Sequence, residues 1–412
     1  FKTVSKNPEL FLNESRSCAN YIRRLCKSLG AKISNLLPVE NGNPVVHVEF
    51  QANKINENVN NNFKNGLNPR ILWYGHYDVI EVEDYQQWSS DPFKLNALNG
   101  YLYGRGVTDN KGPLIASLLA VAELFERNEL TSDVVFLIEG EEESGSFGFQ
   151  NVVNNYKDII GDIDWILLSN SYWLDDNIPC LNYGLRGVIS LQVEIWGDKP
   201  DRHSGVDGGI SREPTIDLIN TLSKLNDEQG KVKIPDFYES VKPVNEEELK
   251  LYENIIERCS NLDNLTINEL MSKWRLPSLT IHKFEVSGPG NSTVIPQSAK
   301  AAISIRIVPD QDIEEIKKNI VNYIENNFNK LKTENHLKVK FLHEAEPWLA
   351  DTNNDAYKIL NEEVTKEWKI EPLFIREGGS IPSVRFLEKT FKAPAAHLPC
   401  GQSSDNAHLN NE

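Results

Sequence analysis

Residues 133–146 read DVVFLIEGEEESGS. Val134 to Ile138 form an unbroken apolar run, and four carboxylates follow within five positions: Glu139, Glu141, Glu142 and Glu143. A short unbroken run of this kind reads as a strand buried on both faces. Solvation alone does not require acids packed at the end of such a strand. Adjacent carboxylates there suit a metal ligand beside a general base. Toward the N-terminus, residues 112–127 contain LIASLLAVAELF and read as a buried helix, while 70–74 (RILWY) and 45–50 (VVHVEF) read as strands. Residues 9–29 read as an amphipathic helix stopped by Gly30. Toward the C-terminus, 164–169 (DWILLS) gives another buried strand. Strands alternating with helices define an α/β chain with a central mixed, largely parallel sheet.

The pattern changes after Gly187. Residues 188–196 (VISLQVEIW) alternate, a long helical stretch is expected from Pro214, and 299–308 (AKAAISIRIV) alternate again. Ile303, Ile305 and Ile307 fall on one face of that strand, Ser304 and Arg306 on the other. Residues 187–306 are therefore expected to form a smaller α+β domain, inserted into a discontinuous domain of residues 1–186 and 307–412. Between the strands at 45–50 and 70–74 lies NKINENVNNNFKNG, an Asn-rich polar insert expected to be a mobile loop.

The chain has 412 residues and 40% hydrophobic content, enough for the well-buried cores of two or three domains. Lys+Arg number 43 against 60 Asp+Glu, a formal net charge of −17. So acidic a chain repels phosphate backbones and anionic lipid, which argues against nucleic acid and membrane surfaces as partners. No apolar run reaches the roughly 18 residues of a membrane span, and no signal peptide is visible. The first residue is Phe1 rather than Met, so an upstream segment is expected to be missing. Cys18, Cys26, Cys180, Cys259 and Cys400 are odd in number and show no CxxC or zinc-finger spacing. That fits a reducing, cytoplasmic setting. Cys18 and Cys26 share an apolar helical stripe with Ile22, Leu25 and Leu29, and are expected in the core.

Four further blocks join the acidic one. His76 ends a buried strand, and Asp78 follows on the same face, where a carboxylate can fix the tautomer of a ligating imidazole. Gly104–Gly112 (GRGVTDNKG) places Asp109 just before the buried helix. A glycine-rich turn there can also hold a phosphate, but Asp109 would repel it. Asp201–Gly205 (DRHSG) carries His203. Asp405–His408 (DNAH) lies near the end, preceded by Arg376–Pro382 (REGGSIP). Each block alone is weak, since the chain has eight histidines and most must be structural.

Together and in order, these blocks resemble the zinc-dependent peptidase family of carnosinases, carboxypeptidase G and aminoacylases, over nearly the whole chain. The resemblance implies a zinc-peptidase catalytic domain interrupted by a lid domain through which two copies dimerise. It implies that Asp109 bridges two zinc ions, that His76 completes one shell, and that Glu143 and His408 complete the other. Glu142 is implied as the general base and Asp78 as the partner of His76. His203 is implied to reach the partner subunit's active site and stabilise an oxyanion. Thr293 and Arg306 are implied to hold the substrate carboxylate or backbone, and Gly379 and Ser380 to line the pocket of a short-peptide substrate.

The family supplies one more aspartate ligand, and the matching position here is Asn170. An amide oxygen is a poor zinc ligand beside carboxylate or imidazole. Losing its charge leaves one positive charge unbalanced in a low-dielectric pocket. One or two zinc ions per chain are expected, weakly held on the His76 side, which argues against independent turnover. Gly184–Gly187 (GLRG) and Gly401–His408 (GQSSDNAH) are most similar to one branch of the family, the metallopeptidase-like subunits of a fungal cytosolic glutathione-degrading complex. That branch implies a glutamine-amidotransferase-like partner and γ-glutamyl peptide substrates. The alternatives are an independently active di-zinc di- or tripeptidase, and a metal-depleted scaffold that activates the partner.

Overall fold

The computed structural model describes residues 1–6, 8–52, 68–262 and 264–412. The Asn-rich stretch at 53–66, expected to be a loop, lies outside the described residues. The apolar run at 133–146 becomes the strand Asp133–Glu139, buried at every position. It lies inside a nine-stranded sheet. Arg70–His76 pairs parallel to it on one side, and Val45–Phe50 antiparallel on the other. Trp165–Leu168 runs parallel to Arg70–His76, and Ala395–His397 runs parallel to Trp165–Leu168. Four consecutive parallel strands thus form the middle of a mixed sheet, as the apolar runs required.

Both faces of this sheet are covered. The helices Pro8–Ser28 and Lys111–Glu126 bury Cys18, Ile22, Cys26, Leu114 and Leu118 with Val46, Phe136 and Ile138. Phe149–Ile160 and Pro382–Phe391 bury Phe149, Val153, Val384 and Leu387 with Leu72, Leu137 and Ile166 on the other face. Among the described residues no helix is long and apolar enough to cross a membrane.

A second sheet has four antiparallel strands in the order Ser278–Val286, Ser298–Ile307, Gly187–Trp196, His336–Ala345. Ile303, Ile305 and Ile307 bury against Leu218, Leu222, Ile316 and Ile320 from the covering helices Pro214–Leu222 and Ile313–Asn329. Two expectations shift here. The helix from Pro214 has nine residues rather than a long run. The small sheet also continues past residue 306, because His336–Ala345 pairs with Gly187–Trp196 and Ile313–Asn329 covers it. Conversely, the helices Glu246–Arg258 and Ile267–Trp274 pack with Cys180, Leu373 and Ile375 of the large sheet.

One core group is unbalanced. His47 is fully buried on Val45–Phe50, and among the described residues neither ring nitrogen has a hydrogen-bond partner. Burial pushes its pKa below the usual 6.5, while Glu49 and Arg70 act in opposite senses. The folded state therefore binds fewer protons than the unfolded chain near pH 6, and stability falls as pH drops below about 6.5. Urea titrations at pH 7.5 and 5.5 are expected to show a smaller acid loss for His47→Leu than for wild type.

Candidate active site

The parallel strands end on one side of the large sheet, where α/β proteins gather ligand groups. His76 closes Arg70–His76, and Glu142 and Glu143 follow Asp133–Glu139. Asn170 follows Trp165–Leu168, and the segment carrying His408 follows Ala395–His397. Asp109 sits just before the helix Lys111–Glu126.

These residues converge. His76 is fully buried, with Nε2 3.0 Å from Asp109 Oδ1. His408 Nε2 lies 2.9 Å from Asp109 Oδ2 and 3.3 Å from Glu143 Oε2. One ligand atom each from Asp109, Glu143 and His408 lies within 4.8 Å of the other two. Two carboxylates and an imidazole at this spacing are a donor set that zinc accepts.

Asp78 organises the group from beneath. It is fully buried and its carboxylate accepts the N–H of Glu142 at 3.1 Å and of Glu143 at 3.0 Å. Its Oδ1 is 3.4 Å from His76 Nδ1. His76 Nδ1 also lies 3.2 Å from the Asp78 carbonyl, so this one residue, through backbone and side chain, orients both the imidazole and the acidic turn. Gly145 closes that turn at φ +100°, and a Cβ there would lie 2.9 Å from His343 Nδ1.

The charges explain the chemistry available. Burial pushes the Glu142 carboxyl well up; the His76 charge opposes this, while Glu143, Asp109 and Asp78 add to it. A carboxyl of raised pKa, 4.0 Å from His76 Nε2, is suited to take and return a proton. Burial also resists ionisation of Asp109, but hydrogen bonds from His408 and His76 outweigh it and hold its pKa well below the carboxylate range. The same bonds, to Asp109 and then Glu143, push His408 up to about 10. A divalent cation binding here exchanges for these shared protons.

On the His76 side an amide stands among the carboxylates and imidazoles. Asn170 Oδ1 accepts the N–H of Ser171 at 2.6 Å, which turns its Nδ2 to within 3.3 Å of His76 Nε2. An amide NH2 donates and cannot ligate. The carbonyl of Asn170 accepts a further bond from His397 Nε2 at 2.6 Å, so the residue is held from both ends.

These groups floor a cavity of ≈ 650 Å3 whose opposite wall comes from the small sheet. Arg306, Ser190 and His343 project from that sheet, and Gly379 and Ser380 close one side. Arg306 Nη1 donates to Ser380 Oγ at 2.8 Å, and Ser380 Oγ donates to the Arg186 carbonyl at 2.6 Å. Arg186 is pushed down to about 10 by burial and by the charge of Arg306. Arg186 donates to the Gly378 and Leu276 carbonyls and Ser278 Oγ, whereas Arg306 faces the cavity and, among the described residues, has no carboxylate partner, which suits it to an anionic ligand.

His203 and Thr293 lie together but elsewhere. Arg202–His203 pairs with Val294–Ile295, and Ser204 N–H donates to the Thr293 carbonyl at 2.8 Å. Both side chains are exposed and neither lines this cavity. His343 and Glu377 line it, though sequence reasoning assigned them no role. The alternation of HLKVKFLHEA at 336–345 carried the signal for His343, and Glu377 sat in a block already singled out.

An α/β sheet with a carboxylate–imidazole cluster at its strand ends, roofed by a cationic wall, defines a metallohydrolase-type scaffold. The chain belongs to peptidase family M20/M25/M40, whose model matches residues 72–412. It is 50% identical over 416 residues to the "Probable di- and tripeptidase DUG2" of Saccharomyces cerevisiae, covering 100% of this chain and 47% of that protein. It is 36% identical over 358 residues to the "Cys-Gly metallodipeptidase DUG1" of Candida albicans, covering 83% and 74%. Among solved structures, the dipeptidase Dug1p of Saccharomyces cerevisiae superposes with a TM-score of 0.84 at 30% identity, over 100% of this chain and 88% of the other. Human carnosine dipeptidase 1 gives 0.85 at 29%, with the same coverage. The chain thus spans less than half the length of its DUG2 relative.

Proposed function

We propose that the cavity hydrolyses, or binds, the amide bond of short peptides, and that it holds one divalent cation, zinc, tightly. The supporting observation is the convergence of Asp109, Glu143 and His408 opposite Arg306. A cation held there supplies Lewis-acid polarisation of a carbonyl and a lowered water pKa. Glu142 would take a proton from the water that adds to the amide carbonyl and return it to the leaving amine as the C–N bond breaks. Arg306 and Ser380 hold the substrate carboxylate, and Asp78 keeps His76 and the acidic turn in place. His203 and Thr293 act on the active site of a second copy, docked through the small sheet. The exposed Phe284 and Val286 on its edge strand Ser278–Val286 are compatible with that contact.

The His76–Asn170 side holds a second cation weakly. The chain accordingly works as a metallopeptidase-like subunit of a cytoplasmic complex that degrades glutathione and other γ-glutamyl peptides, beside a glutamine-amidotransferase-like subunit. The likeness to a relative named a probable di- and tripeptidase supports the short-peptide part of this reading. None of the five cysteines is disulfide-bonded, which fits a reducing compartment. A second reading, a scaffold that activates its partner without hydrolysing anything itself, is favoured by the donor face that Asn170 turns to His76.

Zinc per chain by elemental analysis, with dipeptide assays in the presence and absence of the partner, tests these readings. One tight zinc is expected. Two tight zincs with full activity of the isolated chain would remove the weight placed on Asn170. For substrate binding, Arg306→Ala is expected to weaken a dipeptide ligand at least about tenfold by calorimetry, the scale of one charge-assisted hydrogen bond. Unchanged affinity would move the carboxylate pocket elsewhere.

A further inference from the structure

Asp109 ends a loop, residues 104–109, whose backbone wraps around a single side chain. Glu412 is 3% exposed. Its Oε1 accepts the N–H groups of Gly106, Thr108 and Asp109, each at 3.1 Å. Its Oε2 pairs with Arg105 Nη1, and its carbonyl accepts Gly104 N–H at 2.8 Å. Arg105 is itself fixed, with Nη2 donating to the Leu409 carbonyl at 3.1 Å and the guanidinium 5.2 Å from the Trp88 ring. Gly106 makes the wrapping possible: φ is +89°, and a Cβ there would meet Val79 Cγ1 at 2.6 Å. Backbone amides converging on one carboxylate form an anion nest. Glu412 does not line the cavity that Asp109 faces.

We propose that Glu412, locked by Arg105, is a positioning residue: its carboxylate fixes the backbone of residues 106–109 and so aims the Asp109 carboxylate at His408 and Glu143. His408 lies four residues before Glu412, so one short segment installs both a ligand and the brace for another. A ligand whose backbone is preset loses little freedom when a cation binds. A loop released from its nest must first be ordered, and that cost falls on affinity. The inference rests on reading Asp109, Glu143 and His408 as cation ligands.

Co2+ titration followed by ligand-field absorption tests it, at a temperature well below each protein's melting point. The proteins are wild type, Asp109→Ala, Glu412→Asp, Glu412→Ala, and Glu412→Asp combined with Asp109→Ala. Glu412→Asp keeps a charge facing Arg105 and withdraws the carboxylate by one methylene. Its Co2+ affinity is expected to fall about 10- to 100-fold, with a shifted absorption band. In the Asp109→Ala background it is expected to cause no further loss. Wild-type affinity in Glu412→Asp, however far its melting temperature drops, makes the residue purely structural and overturns the proposal. Wild type that takes up no Co2+, or Asp109→Ala that binds as well as wild type, removes the cation reading and the proposal together. If Glu412→Ala does not fold, Glu412→Asp alone decides.

Discussion

Replacing Asn170 with aspartate is expected to give the isolated chain a second tightly held zinc and to raise dipeptide hydrolysis at least about 100-fold, the lower scale of a positioned catalytic group. The local geometry is ready for it. Ser171 N–H already fixes one branch of the side chain at 2.6 Å, and the other branch lies 3.3 Å from His76 Nε2. Aspartate puts an oxygen and a negative charge where the amide now presents a donor. Elemental analysis and steady-state assays of wild type and Asn170→Asp give the measurement. Adding Glu142→Gln to Asn170→Asp is expected to take the gained activity back by about 100- to 10,000-fold, with zinc content unchanged. If Asn170→Asp binds no more zinc than wild type, the weakness of the His76 side does not arise from Asn170.

Glu248→Ala is expected to lower folding stability by about 3–5 kcal/mol, because it strands two buried guanidinium groups. Glu248 Oε1 lies 2.7 Å from Arg376 Nη2, and its Oε2 lies 3.1 Å from Arg275 Nε. All three side chains are nearly buried, at 10%, 10% and 8% exposed. The trio ties Glu246–Arg258 to the strand Leu373–Glu377, which ends at Glu377 in the cavity wall. Urea unfolding of wild type and Glu248→Ala measures the difference. A loss under 1 kcal/mol would show that water reaches the two arginines, and would make the trio an ordinary surface network.

The floor of the site was legible from its blocks taken together, since each alone was weak. Unbroken apolar runs marked the buried strands, and polar residues at their ends marked Glu142, Glu143 and His76, while Asn170 was picked out only through the family resemblance. Asp109 was set just before a largely apolar helix. Other features depend on partners that no local pattern names. His336–Ala345 alternates clearly, yet alternation does not say which sheet it joins, so His343 was missed. Glu246–Arg258 is amphipathic, but its apolar face fits either sheet until Leu373 and Ile375 are in place. Glu412 is one acid among many, and only the loop folded around it reveals its part.

The chain passes between the two sheets at Gly187 and at Ala345, and again through the helices Glu246–Arg258 and Ile267–Trp274, which pack on the large one. Gly187 opens the small one, and its hypothetical Cβ would lie 2.5 Å from the carbonyl oxygen of Ala345, the residue on which the chain leaves. Arg306 and His343 stand on one side of that junction, Asp109 and His408 on the other. On the proposed reading, a peptide held by Arg306 at one end and by the Asp109–His408 side at the other would bridge the two sheets.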